Sequence, residues 1–140
     1  IGVAILTRLV REASSLFGDD FDVEIIERHH NQKLDAPSGT ALHLAKAVKE
    51  GAASPKAEIY DRHAVRRKRE KSEIGMHAVR GGTIIGEHEV LFAGWNETVS
   101  ISHSAQSREV FASGAVRAAT FMAGVKTPGI YGMDDIFAGE

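Results

Sequence analysis

Residues 27–50, ERHHNQKLDAPSGTALHLAKAVKE, gather side chains able to do chemistry in a short span. His29, His30 and Lys33 supply cationic donors, and Ser38, Gly39 and Thr40 open a run with helical spacing. A helix start leaves backbone N–H groups unpaired and carries partial positive charge, so it receives anions. Gly39 lets a ligand approach the backbone closely, and the two hydroxyls can cap the helix or bind the ligand. Pro37 holds Ala36 extended and fixes the angle at which the turn meets the helix. The guest that suits such a loop is a small carboxylate or phosphate.

Blander explanations compete with this one. Ser and Thr at helix starts and Asp-Ala-Pro turns are ordinary punctuation, and a lone histidine is usually structural. The six residues together are less readily an accident of composition. A zinc site is disfavoured, because adjacent histidines on a strand point to opposite faces, and the chain has no cysteine and no HExxH. His43, His63, His77, His88 and His103 show no ligand spacing. No metal is expected, and no G-x-S-x-G elbow announces a serine nucleophile.

The elements that must position this loop are legible on either side of it. In IGVAILTRLVREASSLFG, Val3, Leu6, Val10, Ala13 and Phe17 recur at helical spacing, opposite Arg8, Arg11, Glu12 and Ser15, with Gly18 as C-terminal cap. DVEIIERHH reads as a strand with Val23, Ile25 and Glu27 on one face and Glu24, Ile26 and Arg28 on the other. TALHLAKAVKEG reads as a helix that buries Ala41, Leu44, Ala45 and Val48, exposes His43, Lys46 and Glu50, and stops at Gly51. From 52 to 74 the pattern dissolves, and RHAVRRKREKSE reads as a solvated loop, with a phosphate contact as the alternative. MHAVRGGTIIGEHEVLFAG and ETVSISHSAQ give two or three strands. Val99 and Ile101 alternate with Ser100 and Ser102, which leaves one apolar face free for other subunits. REVFASGAVRAATFMAG returns to helical spacing through Phe111, Ala115, Ala118 and Met122, ahead of a Pro-Gly turn and a short apolar tail. The fold class is therefore α+β, a mixed sheet with flanking helices.

A 140-residue chain with formal net charge −2 fits one compact domain, or one domain plus a piece of another. That charge disfavours a nucleic-acid binder. No apolar run approaches the roughly 20 residues of a membrane span. The absence of cysteine permits a reducing compartment. Opening without Met and already in a helical pattern, the chain reads as an excised fragment whose upstream targeting information would be missing.

ERHHNQKLDAPSGTA resembles the signature E-x-H-H-x-x-K-x-D-A-P-S-G-T-A of the bacterial dihydrodipicolinate reductases, also called 4-hydroxy-tetrahydrodipicolinate reductases. The resemblance runs on through VRGGTIIGEHEVLFAG, ISHSAQSREVFASGAVRAA and GIYGMDDIF, and is weakest from Asp61 to Lys71. It implies a cytoplasmic homotetramer that reduces a cyclic imine dicarboxylate with NADH or NADPH in the diaminopimelate route to lysine. It also implies roles. His29 would be the proton donor or acceptor and Lys33 the general acid. His30, Gly39 and Thr40 would hold the substrate carboxylates, with Ser38 joining the cradle, and Arg108 and Phe111 would face the nicotinamide ring. Hydride addition to a conjugated imine pushes electron density onto nitrogen, which a nearby cation stabilises and protonates. One departure is large: no glycine-rich dinucleotide fingerprint occurs in this chain. Residues 1–107 would then be the substrate-binding and tetramerisation domain, and 108–140 a segment returning to the nucleotide-binding domain. The alternative is a stand-alone dicarboxylate-binding or oligomerisation module without catalysis.

Overall fold

The computed structural model describes residues 1–137. Helix α1 (Gly2–Phe17) comes first, and a short 3-10 turn joins it to strand β1 (Asp22–His29). Helix α2 (Gly39–Gly51), strand β2 (Ala57–Ile59), strand β3 (Glu73–Arg80), the hairpin of β4 (Glu87–Gly94) and β5 (Glu97–Ser104), helix α3 (Glu109–Gly124) and a 3-10 turn at Met133–Phe137 follow. The five strands form one sheet in the order β2-β3-β1-β4-β5. Strand β1 runs parallel to β3 and antiparallel to β4, so the sheet is mixed, as the α+β expectation requires.

The core lies between one face of this sheet and the helix pair. Strand β1 alternates strictly, placing Val23, Ile25, Glu27 and His29 inward. There the two aliphatic residues meet Leu6 and Val10 of α1, Ala41, Leu44 and Val48 of α2, and Ile74, Val90 and Phe92 of the neighbouring strands. Burying each of the larger side chains contributes on the order of 1.5 to 3 kcal/mol, which holds α2 and its N-terminus against β1. The helices touch closely: Ser14 Oγ donates to the Val48 carbonyl at 2.8 Å, and a Cβ at residue 51 would overlap the Arg11 carbonyl. Helix α2 does stop at Gly51, but glycine is required there because the backbone of α1 crosses against it. Gly18, at φ 57, does cap α1.

Two expectations are corrected. The 52–74 segment is not without pattern, because it supplies the edge strand β2, and residues 62–72, an exposed loop as expected, carry an anchoring arginine. Arg69 donates to Glu24 at 2.9 Å, to Asp22 at 2.8 Å and to the Val23 and Glu73 carbonyls. Arg62 and Arg67 both pair with the buried Glu73 at the start of β3. Composition could not show this, since the partners of these arginines lie up to 47 positions away. The apolar stripe of β5 is also not free: Val99 and Ile101 pack against the chain's own core. The sheet face turned away from the helices carries instead a mixed set that includes Glu24, Ile26, Arg28, His77, Val79, Glu89 and Leu91.

Helix α3 stands apart. Only Gly114 of it is buried, while Phe111 is 54% exposed, Val116 68% and Met122 46%. Of the tail, Ile136 is buried and Asp134 lies 3.7 Å from Arg11 of α1.

Candidate functional site

Strand β1 delivers the site. Its inward alternation ends in two polar residues, Glu27 and His29, where the aliphatic core gives way to the loop. Register supplies their neighbours: His88 of β4 lies opposite Glu27, and Arg80, the last residue of β3, lies opposite His29. The Ala36–Pro37 bond is cis, and the start of α2 is tied to the same strand end by the Ser38 N–H on Glu27.

The Glu27 carboxylate is fully buried and occupied on both oxygens. Oε2 lies 2.6 Å from His29 Nδ1, and Oε1 accepts the Ser38 backbone N–H at 3.0 Å. Arg80 forks across both oxygens at 2.8 and 2.7 Å, and also donates to the Asp35 carbonyl at 2.6 Å. Burial by itself would raise the Glu27 pKa. The hydrogen bonds from Arg80, His29 and the Ser38 N–H outweigh it and hold the carboxyl below its usual range.

Ser38 caps α2, its Oγ accepting the Ala41 N–H at 3.2 Å and lying 3.0 Å from His88 Nε2. Burial, reinforced by the neighbouring His29, pushes the His88 pKa down to about 4, so this imidazole is neutral at pH 7. With its single proton, the Ser38 hydroxyl can then donate to His88 while accepting from the helix. Among the described residues, the Gly39 and Thr40 N–H groups have no hydrogen-bond partner, so the helix start keeps two donors for an anion.

Of the loop's basic residues, His29 is buried, and its Nε2 has no hydrogen-bond partner among the described residues. A Cβ at residue 86 would stand 3.1 Å from that nitrogen, so Gly86 keeps the space beside it open. His30 and Lys33 share a turn closed by Lys33 N–H to the His30 carbonyl at 3.2 Å. Lys33 Nζ rests 2.9 Å from Asp35, whose pKa its hydrogen bond lowers. The structure thus gathers His29, His30, Lys33, Ser38, Gly39 and Thr40 at one end of the sheet, linked through Glu27, Arg80 and Asp35. Arg108 and Phe111 sit at the start of α3, with no hydrogen bond or ion pair to that loop. Phe111 borders a separate cleft of about 730 Å³ between α1, α2, β5 and α3, which also meets His43 and His103. No group of three or more His, Asp or Glu residues among the described residues could hold a metal ion.

Sequence reasoning missed Glu27, Arg80, Gly86 and His88 as members of the site. For Glu27 a signal existed, a carboxylate on the inward stripe of Val23 and Ile25. The other three are placed only by strand pairing and by the turn ahead of β4.

Fold and geometry together define an α+β domain that offers a small anion a capped helix start beside a carboxylate-held histidine. The profile of the family described as Dihydrodipicolinate reductase, C-terminus, matches residues 2–137, and the chain belongs to that family. It is 52% identical over 136 residues to the 4-hydroxy-tetrahydrodipicolinate reductase of Caldanaerobacter subterraneus subsp. tengcongensis, covering 97% of this chain and 53% of the relative. The enzyme of that name from Clostridium botulinum is 47% identical over 136 residues, covering 97% and 54%. A solved structure, dipicolinate-bound dihydrodipicolinate reductase from Paenisporosarcina sp. TG-14, is 35% identical with a TM-score of 0.59, covering 81% of this chain and 44% of that one. The chain spans about half the length of the curated relatives it matches.

Proposed function

We propose that this chain is the substrate-receiving part of a 4-hydroxy-tetrahydrodipicolinate reductase acting in lysine and diaminopimelate biosynthesis in the cytoplasm. The observation that carries the proposal is the meeting of a helix start with two unpaired N–H groups and the His29, His30 and Lys33 cluster on one loop. A rigid cyclic dicarboxylate needs anion-binding groups for its carboxylates and a proton donor near the ring nitrogen. Gly39 and Thr40 N–H, the Ser38 and Thr40 hydroxyls and His30 take the carboxylates. Lys33 is the general acid, and His29 accepts or returns a proton through Nε2. When bound, NADH or NADPH supplies the hydride. This chain carries no fingerprint for a dinucleotide, but Arg108 and the exposed Phe111 ring fit the edge of one. Residues 1–107 form the substrate and tetramerisation domain, and 108–140 return to the nucleotide-binding domain; 138–140 lie outside the described residues. The exposure of Phe111, Val116 and Met122 supports that division. The sheet face carrying Ile26, Val79 and Leu91 is suited to pair copies of the chain into a homotetramer.

Calorimetric titration of the chain with pyridine-2,6-dicarboxylate tests the site. A charged hydrogen bond contributes about 1.5 to 3 kcal/mol, so Lys33→Ala should weaken binding by roughly tenfold to a hundredfold. Equal affinity for both proteins, or no heat from either, would overturn the assignment. Sedimentation equilibrium at micromolar concentration should show assembly, and a monomer alone would contradict the tetramer.

A further inference from the structure

We propose that Glu27 is the positioning residue of this site: one buried carboxylate fixes both the tautomer of His29 and the seat of the α2 helix start. The inference rests on the proposal that His29 exchanges a proton with the ligand, and it adds a residue and a division of labour to it. The geometry carries it. Glu27 Oε2 is 2.6 Å from His29 Nδ1, and an ionised carboxylate only accepts, so Nδ1 bears a hydrogen. In the neutral ring the other nitrogen, Nε2, is then the bare acceptor, and it is the one with open space toward Gly86. Through Oε1 the same carboxylate holds the Ser38 N–H, one residue before the free Gly39 and Thr40 donors. Arg80 keeps Glu27 ionised in its buried position and anchors the loop again at the Asp35 carbonyl.

The two oxygens thus do separable things, and Glu27→Gln separates them. The amide oxygen can keep the Ser38 N–H and the Arg80 Nη2 bond, while its NH2 group, standing where Oε2 was, gives up the bond from Arg80 Nη1 and donates to His29 Nδ1, moving the ring hydrogen to Nε2. Two-bond 1H–15N correlation spectra of this chain read the tautomer directly. A protonated, pyrrole-like Nδ1 and a bare, pyridine-like Nε2 are expected in the wild type, and a shift toward the reverse pattern in the variant. A wild type with hydrogen on Nε2, or a variant with an unchanged tautomer, would overturn the proposal. In the full-length protein Glu27→Gln should lower kcat at least about tenfold, since one positioned acid or base contributes about 10² or more. KM for the imine should stay within about threefold, because the cradle is retained. An unchanged kcat would also overturn the proposal, as would a loss confined to KM. If full-length wild type shows no reductase activity, the functional assignment fails, while the spectra still decide whether Glu27 holds the imidazole.

Discussion

Arg80→Met puts the electrostatics of the site to a quantitative test. Wild-type Arg80 places two charge-assisted hydrogen bonds, at 2.8 and 2.7 Å, on a carboxylate whose side chain is 1% exposed. Methionine fills much of the same volume but leaves that carboxylate with only the His29 ring and the Ser38 N–H. Removing one partner of a buried ion pair costs about 3 to 5 kcal/mol. Because the Arg80 side chain is 19% exposed, water can partly replace it, and the low end, about 3 kcal/mol, is the expected loss. With a denaturation slope near 2 kcal/mol per molar urea, the midpoint should fall by roughly 1.5 M at pH 7. The deficit should depend on pH. In the folded wild type Glu27 titrates below its ordinary value of 4.5, so the stability it contributes is fully present above that value. It is lost as pH falls through the lower folded pKa, so wild type and variant should converge in acid. Adding Glu27→Gln to Arg80→Met removes the orphaned charge and should recover at least half of the loss. A deficit under about 1 kcal/mol at pH 7, or one that grows as pH falls below 4, would refute the view that Arg80 compensates a buried charge.

Gly51→Val should lower the melting temperature by several degrees or more, because a side chain there overlaps the Arg11 carbonyl and forces α1 and α2 apart; a thermal melt within 2 °C of wild type would show that the crossing yields easily. In hydrogen exchange on this chain, amides of 111–122 should exchange far faster than those of β4, since α3 buries only Gly114 whereas β4 is paired on both edges. Equal protection would place α3 in this domain's own core and sink the division at residue 107.

The sequence determined the local layer of this protein. Leu6 and Val10, Ala41, Leu44 and Val48, and the alternation through Val23 and Ile25 state their periods within a few residues, because helix and strand geometry depends on near neighbours. The capped helix start was legible for the same reason: Pro37, Ser38, Gly39 and Thr40 act on the turn they belong to. Register decided the rest. Arg80 is 53 positions from Glu27 and His88 is 50 from Ser38. They reach the site only because β3 and β4 flank β1 in one particular alignment, where a one-residue slip would turn them to the opposite face. The same holds for Arg69, whose place in a charged stretch looked like solvent-facing loop until the central strand β1 supplied Glu24 and Asp22. Nor could the sequence show why the helix stop at 51 is a glycine, since what requires it is the Arg11 carbonyl of another helix. A side chain's period is written in the chain beside it, but a buried charge is tolerable only with its partner, and the fold alone brings that partner within reach.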